Sequence, residues 1–185
     1  MTTQTERTTP FTQNLILLSQ LLGTSLLIAL ISQVRIPLPF TPVPVTLQTL
    51  AVMMAGMTLG SRKGALAVLF YLAQVSCGLP VLNGGNANAF ALLGPTGGYL
   101  IGFVAQAFLV GYVSERMQTF QPVKLFLGCL LACAVQLALG SLQLASFVGW
   151  EMVFWMGVYP FLLGEVCKIF LACGYKKCLT MKTGS

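Results

Sequence analysis

The 185 residues of this chain are 56% hydrophobic and only 8% charged, and the formal net charge is +6. Because ordinary soluble domains carry about 25% charged residues, this composition excludes them and indicates a single membrane domain in contact with lipid. The sequence contains no histidine and no aspartate, which excludes a Ser-His-Asp triad and a histidine-based metal site. The basic residues are scattered among apolar segments, so membrane topology explains the net charge better than nucleic-acid binding.

The apolar segments predict an all-α integral membrane protein with six transmembrane helices and long outward loops. Residues 1–13 predict a disordered lead, residues 14–177 the six-helix domain, and residues 178–185 a cytoplasmic tail. The predicted helices cover residues 14–34, 46–60, 64–77, 97–114, 124–145 and 160–177. Residues 146–159 contain Trp150, Trp155 and Tyr159. Such aromatic residues are typical of the membrane–water boundary and predict a short interfacial helix.

The first predicted helix carries two small residues, Ser25 and Ala29, which lie four positions apart on one face. A ledge of this kind permits close approach by another helix. Contact with another protein and packing within the same bundle are both open interpretations of this ledge.

Four prolines, at positions 37, 39, 42 and 44, interrupt the chain after the first helix. No helix can pass through them, yet most of the side chains between them are apolar. Non-helical backbone at membrane depth is tolerated only where it is buried in protein or lines a cavity. The segment is therefore predicted to be extended and to bring Phe40, Thr41, Thr46 and Gln48 to a fixed place in the bundle.

A second unusual stretch, residues 78–98, contains six glycines, three asparagines and two prolines, and it carries no charge. Apolar and amide side chains are mixed on a flexible backbone, as expected for a loop that folds over a pocket. An ordinary long re-entrant connection is the alternative.

The last apolar segment contains Glu165 and Lys168. Their i, i+3 spacing places a carboxylate and an ammonium on one helical face, close enough to pair. Ionisable residues at membrane depth are costly, and they usually face a bundle interior or a ligand cavity. The pair is interpreted either as a site for a small polar solute or as a structural ion pair.

Charge distribution predicts the orientation of the protein in the membrane. With six spans, both termini lie on one side, which also receives most basic residues: Arg7, Arg62, Lys63, Arg116, Lys124, Lys176, Lys177 and Lys182. Positive residues favour the cytoplasmic side, so both termini are predicted to be cytoplasmic. The proline segment, the loop at 78–98 and the start of the last helix then share the outer end, where a binding site is predicted.

Four motifs resemble the BioY family, the biotin-binding S components of energy-coupling-factor (ECF) vitamin transporters. These are PFTPVPVTLQTL at 39–50, GLPV at 78–81, GPTGGYLIGF at 94–103 and PFLLGEVCK at 160–168. The resemblance implies a six-helix protein of the bacterial cytoplasmic membrane that captures biotin from outside. It also implies partners, namely a membrane coupling subunit and two ATPases, although some members are thought to act alone. The resemblance further implies that a coupling subunit would contact the ledge of Ser25 and Ala29.

The resemblance also implies site residues. Family members usually carry Asp where this chain has Glu165, with Lys at the position of Lys168, and these two residues are associated with the ureido head of biotin. The Glu165 side chain keeps the charge but is one methylene longer, and residues 83–90 also depart from the small, Gly-rich run of the family.

Biotin has a cyclic urea with two N–H donors and one carbonyl, an apolar thioether ring and a carboxylate tail. Glu165 suits a urea N–H and Lys168 suits the urea oxygen. The remaining candidates are amides (Asn83, Gln48), ring-packing aromatics (Phe40, Tyr99), and donors for the tail, either the Gly84–Gly85 backbone N–H groups or a Thr hydroxyl such as Thr46.

Other functions are open as well. A structural membrane subunit, an intramembrane enzyme that uses Glu165 as base, and a transporter of another vitamin-like solute are the alternatives. The sequence has no second carboxylate near Glu165, no Cys-x-x-Cys pair and no phosphate-binding loop ending in Lys-Ser or Lys-Thr. We therefore predict no catalytic residue, no metal and no cofactor, with biotin as the transported ligand.

Overall fold

The computed structural model describes residues 10–183, without the side chains of Pro10, Lys182 and Thr183. Helices dominate the described chain. Six α-helices (α1–α6), two short strands (β1, β2) and two 3₁₀ turns follow in this order: α1 Pro10–Ser32, β1 Arg35–Ile36, β2 Val45–Thr46, α2 Gln48–Ser76, 3₁₀ turns Asn83–Gly85 and Ala91–Leu93, α3 Gly97–Glu115, α4 Pro122–Val148, α5 Trp150–Gly157 and α6 Tyr159–Thr183.

Within the described residues, four helical stretches are long and apolar enough to cross a membrane: Phe11–Ser32, Gly97–Glu115, Pro122–Val148 and Trp150–Met181. The length and apolar composition of these helices therefore indicate a membrane protein. The prediction of six separate helices is not reproduced, because the second and third predicted helices fall within α2 and an additional short helix, α5, covers the predicted interfacial stretch.

Helix α2 is not straight, because Gly60 in its interior has φ 82° and ψ −179°. A Cβ atom built on Gly64 would lie 2.9 Å from the Cα of Gly56, whereas residues eight apart in a straight helix are about 12 Å apart. The chain thus folds back at Gly60, and residues 48–59 pack against residues 61–76. Only glycine adopts this positive φ without strain.

The carboxylate of Glu115, at the end of α3, supports this reversal. Its Oε1 accepts a hydrogen bond from the backbone N–H of Ser61 (2.9 Å), and its Oε2 accepts one from the Ser61 hydroxyl (2.7 Å). A free N–H at a helix start is thereby satisfied by a side chain of another helix. A Cβ on Gly60 would collide with the same carboxylate.

The ends of the helical domain differ from the predicted bounds. Helix α1 begins at Pro10, so residues 10–13 of the predicted lead are helical, and residues 1–9 lie outside the described chain. Proline is well tolerated in the first helical turn. Helix α6 continues to Thr183, so most of the predicted tail extends this helix.

Helix α3 packs most extensively against α2 and α4, and α1 packs against α2. Ser25 and Ala29 of α1 are buried, at 0% and 7% exposure. The Ser25 hydroxyl accepts a hydrogen bond from Gln74 Nε2 of α2 at 2.9 Å. Of the two interpretations of this ledge, the structure thus shows packing within the bundle, and the two side chains are not exposed for a coupling subunit.

The proline segment is non-helical, as predicted. Strands β1 and β2 pair antiparallel, with Arg35 opposite Thr46, and residues 37–44 form the connection between them. Near its tip, the Thr41 hydroxyl donates a hydrogen bond to the carbonyl oxygen of Met156 in α5 (2.8 Å). This hairpin therefore bridges from the end of α1 to α5, across one end of the bundle.

Candidate functional site

Glu165 and Lys168 of α6 form a buried ion pair. The Lys168 Nζ to Glu165 Oε1 distance is 2.7 Å, and each residue is only 5% exposed. The hydroxyl of Thr49, in the first turn of α2, lies 2.9 Å from both atoms. One hydroxyl can donate to the carboxylate and accept from the ammonium, so Thr49 links α2 to the pair.

The second carboxylate oxygen of Glu165 has a weaker hydrogen-bond partner than the first. Glu165 Oε2 lies 3.5 Å from the Cys133 thiol of α4, which also receives a hydrogen bond from Gln106 Nε2 of α3 (3.2 Å). A thiol is a weak donor compared with N–H or O–H groups. Glu165 Oε2 therefore keeps most of its capacity to accept a hydrogen bond from a ligand.

A cavity of about 580 Å³ lies at the end of the bundle that carries the hairpin and the 78–98 loop. Its volume falls in the range of about 300–1,000 Å³ typical of small-molecule sites. The hairpin, both 3₁₀ turns and the starts of α2 and α3 contribute its lining. Polar groups come from Arg35, Thr41, Thr46, Gln48, Asn83, Asn86, Asn88, Thr96 and Tyr99.

A smaller cavity of about 40 Å³ lies next to the ion pair. Glu165, Lys168 and Thr49 line it, together with Gln136 and Leu137 of α4 and Phe161 of α6. Both cavities share five lining residues: Val43, Pro44, Thr46, Tyr99 and Phe103. The two spaces are thus neighbours, separated by a thin wall of hairpin and α3 side chains.

Two buried amides at these cavities lack partners. Gln48 Nε2 at the large cavity and Gln136 Oε1 at the small one make no hydrogen bond to any described residue, although each side chain is 2% exposed. Most buried polar atoms in proteins have a partner. Unpaired amides that line a cavity are therefore suited to polar atoms of a ligand.

The only basic group among the lining residues of the large cavity is Arg35 of β1. Its Nη1 lies 3.4 Å from the Asn83 Oδ1, and its guanidinium packs directly over Gly84, whose φ is 69°. Gly84 thus leaves room for the guanidinium, because a Cβ at this position would overlap it. The arrangement places a cation at the opposite side of the wall from Glu165 and Lys168.

The model of the BioY family matches residues 3–181 of the chain. The chain belongs to the BioY family. The resemblance to this family that the four motifs indicated is therefore confirmed. The region matched includes every element that lines the two cavities.

Named relatives agree with this family assignment. A biotin transporter BioY of Rhizobium etli is 41% identical over 145 residues, which cover 74% of this chain and 78% of the relative. A probable biotin transporter BioY of Pyrococcus horikoshii is 34% identical over 134 residues, covering 72% and 78%. The crystal structure of the S-component for biotin from an ECF-type ABC transporter superposes with a TM-score of 0.82 at 28% identity, covering 91% of this chain and 93% of that one.

The predicted site residues of this BioY-family protein fall into two groups. Thr46, Gln48, Asn83, Tyr99, Glu165 and Lys168 line one or both cavities. Phe40, Gly84 and Gly85 line neither, and Phe40 is 53% exposed. Phe40 points away because the hairpin directs the neighbouring Thr41 toward α5. The Gly84 N–H as donor for an acid tail stays a prediction, since the guanidinium of Arg35 covers this glycine.

The sequence prediction missed Arg35, Thr49, Cys133 and Gln136. Arg35 had a visible signal, because it is the one basic residue between the first and second predicted helices. Thr49 directly follows Gln48 in the first motif, so it shares the same helical turn. Nothing in the sequence distinguishes Cys133 or Gln136 from the other polar residues of α4, because their role depends on which face of α4 meets α6.

Proposed function

We propose that this protein is the substrate-binding subunit for biotin uptake across the bacterial cytoplasmic membrane. The observation that carries the proposal is a buried Glu165–Lys168 pair with unused hydrogen-bonding capacity, next to a cavity of small-molecule size. The names of the relatives, biotin transporter BioY, support the choice of ligand.

Biotin's urea matches the pair chemically. Glu165 Oε2 accepts one urea N–H, because only a thiol occupies it now. Lys168 Nζ has three hydrogens and uses two of them on Glu165 and Thr49, so one remains for the urea oxygen. Hydrogen bonds to charged groups are stronger than those between neutral groups.

The ring system has to enter a space that is small in the unliganded protein. The 40 Å³ next to the pair holds only about three waters. Ligand entry therefore requires the wall formed by Thr46, Tyr99 and Phe103 to move, which joins the two cavities. We propose that the bicyclic head lies at the ion pair and that the valerate chain runs into the large cavity.

The carboxylate tail then reaches the end of the large cavity at Arg35. A guanidinium is well suited to bind a carboxylate through two parallel N–H groups. Asn83, which contacts Arg35, and the unpaired Nε2 of Gln48 offer further donors along this cavity. This assignment is an alternative to the tail donors that the sequence alone suggested, namely the Gly84–Gly85 N–H groups and a Thr hydroxyl.

We further propose six membrane passes with both termini in the cytoplasm. The fold-back at Gly60 supports this count, because it divides α2 into two segments that run in opposite directions. The excess of basic residues on the side that carries both termini supports the orientation. Native cysteines offer a test: Cys77 and Cys178 are both exposed, so an impermeant maleimide added to intact cells should label a variant that retains only Cys77 and spare one that retains only Cys178. The reverse pattern would refute the orientation.

Energy for uptake comes from outside this chain, because the sequence lacks a nucleotide-binding loop of the Walker type. Likeness to an ECF-type S-component supports a coupling membrane subunit and two ATPases as partners. Uptake measured in cells with and without an ECF module distinguishes a dependent protein from one that acts alone.

An enzyme is not supported, because the family consists of transport components. A purely structural subunit predicts no saturable ligand binding. The deciding experiment is equilibrium binding of labelled biotin to the purified protein in detergent, with cold biotin and thiamine as competitors. Saturable binding displaced by biotin alone supports the proposal. No binding by folded protein that is free of co-purified biotin would refute it.

A further inference from the structure

Gln136 lies in the middle of α4, next to the ion pair, and the biotin contacts proposed above do not involve it. Its side chain is 2% exposed, it lines the 40 Å³ cavity with Glu165 and Lys168, and its Oε1 has no partner among the described residues. An unpaired buried acceptor is unfavourable unless something else satisfies it. A hydrogen-bond donor that enters this cavity satisfies it.

The position of Gln136 is fixed by its neighbours. A Cβ on Gly102 of α3 would lie 3.0 Å from the Gln136 carbonyl oxygen and 3.1 Å from its Cγ. Helix α3 is therefore tightly packed against α4 at this residue, which leaves the side chain little freedom to turn elsewhere. Cys133, one helical turn earlier, already interacts with Glu165 and Gln106.

The charged and hydroxyl donors of the ion pair are mostly engaged with one another. The Thr49 hydroxyl and two Lys168 hydrogens act within the triangle of Thr49, Glu165 and Lys168. A third Lys168 hydrogen is assigned to the urea oxygen. A ligand in this cavity can supply the donor for Gln136.

We propose that Gln136 is a specificity-determining residue whose Oε1 accepts the second N–H of the cyclic urea. This inference rests on the proposed function and extends it. Glu165 Oε2 accepts one N–H, Gln136 Oε1 accepts the other, and Lys168 donates to the carbonyl. All three polar atoms of the urea are then paired, so the site selects a ring with two N–H groups.

The amide also fits the charge of the site. Glu165 and Lys168 neutralise each other, and a urea is uncharged. A second carboxylate in place of Gln136 would leave a net negative charge in a buried site, which is costly. A neutral acceptor satisfies the second N–H without that cost.

The test compares biotin with two cyclic carbamate analogues, in each of which one urea N–H is replaced by a ring oxygen. For the unaltered protein we expect both analogues to bind roughly 10- to 100-fold more weakly than biotin, because each leaves a buried acceptor unpaired. Equal binding of biotin and both analogues would overturn the inference without any variant.

The near-isosteric variant Gln136→Met removes the acceptor. It should bind biotin roughly 10- to 100-fold more weakly and should bind one of the two carbamates as well as it binds biotin. The matched control is Gln74→Met, since Gln74 Oε1 is also buried and unpaired but lines neither cavity. The Gln74→Met protein should bind both carbamates more weakly than biotin, as the unaltered protein does.

Two results separate failure of this inference from failure of the proposed function. The unaltered protein can bind biotin while Gln136→Met still binds both carbamates more weakly than biotin. In that case Gln136 does not accept a urea N–H, and only this inference fails. If the unaltered protein does not bind biotin at all, the proposed function and this inference both fail.

Discussion

The hydroxyl oxygen of Thr49 lies 2.9 Å from both Glu165 Oε1 and Lys168 Nζ, and so joins the first turn of α2 to the ion pair of α6. The same turn follows β2 directly, and β2 belongs to the hairpin that lines the large cavity. Thr49 therefore links the charged pair to the helix that continues from the hairpin and its cavity.

Replacing Thr49 with valine tests this connection. Valine keeps the shape but removes the hydroxyl, so Glu165 Oε1 and Lys168 Nζ each lose a buried partner. We expect a loss of about 1–3 kcal/mol in the free energy of unfolding and weaker biotin binding. Thr49→Ser keeps the hydroxyl and should retain binding. Thermal unfolding and equilibrium binding measure the two effects, and a Thr49→Val protein that binds as the unaltered one would contradict the assigned role.

The ion pair itself predicts a separation of stability from binding. Glu165→Gln or Lys168→Met alone leaves one buried charge without its partner, which costs about 3–5 kcal/mol. The double variant Glu165→Gln/Lys168→Met removes both charges and should recover most of that stability. It should still fail to capture biotin, because the charged donor and acceptor are both gone. Recovery of biotin binding in the double variant would show that the pair serves only folding.

Much of the fold follows from local patterns in the sequence. Apolar runs, prolines and clustered aromatics in the sequence account for α3, α4, the non-helical proline segment and the short helix α5. The fold-back at Gly60 coincides with the predicted turn at residues 61–63. The structure instead continues the helical pattern directly on both sides of that glycine, because Glu115 satisfies the backbone N–H of Ser61 from another helix.

Site residues could be predicted from the sequence only where their residue type is rare in its surroundings. Glu165 and Lys168 stand out in an apolar segment, so the sequence identifies them without knowledge of the fold. Gln136 does not stand out, because α4 contains other polar residues and only the contact with α3 and α6 assigns it. The Ser25 and Ala29 ledge shows the same limit, since small-residue spacing predicts close packing but not which helix provides it.

Gly84 and Gly85 offer a matched pair for the proposed carboxylate site. Both have positive φ, 69° and 71°, so alanine at either position costs about 1–2 kcal/mol in backbone strain. A Cβ on Gly84 overlaps the Arg35 guanidinium, whereas a Cβ on Gly85 meets nothing closer than Gln33 Oε1 at 4.0 Å. Gly84→Ala should therefore displace Arg35 and weaken biotin binding, and Gly85→Ala should not.

Biotin and its neutral carboxamide distinguish the cause of that loss. The unaltered protein should prefer biotin by roughly 10-fold, the scale of one charge-assisted hydrogen bond. Gly84→Ala and Arg35→Met should both abolish this preference, while Gly85→Ala should keep it. If Arg35→Met still prefers biotin over the carboxamide, the tail binds elsewhere and the assignment of Arg35 is wrong.

Gly56 lies where three helical segments meet. A methyl group there would collide with the Ala107 carbonyl oxygen of α3 and lie 3.1 Å from the Gly111 nitrogen, and Gly64 packs on its other side. Gly174 of α6 has no atom within 4 Å of the corresponding position and faces away from the bundle. The two helical glycines differ mainly in this packing.

We therefore expect Gly56→Ala to lower the free energy of unfolding by about 1–3 kcal/mol, as overpacking usually does. Gly174→Ala should leave it unchanged or raise it by up to about 1 kcal/mol through helix propensity. Because Gly56 contacts neither cavity, the folded fraction of the Gly56→Ala protein should bind biotin with unchanged affinity. Thermal unfolding in detergent, together with binding corrected for the folded fraction, measures both quantities. Equal stability of the two variants would mean that residues 48–59 do not pack against α3 and residues 61–76 as closely as described, and the fold-back at Gly60 would then need another support.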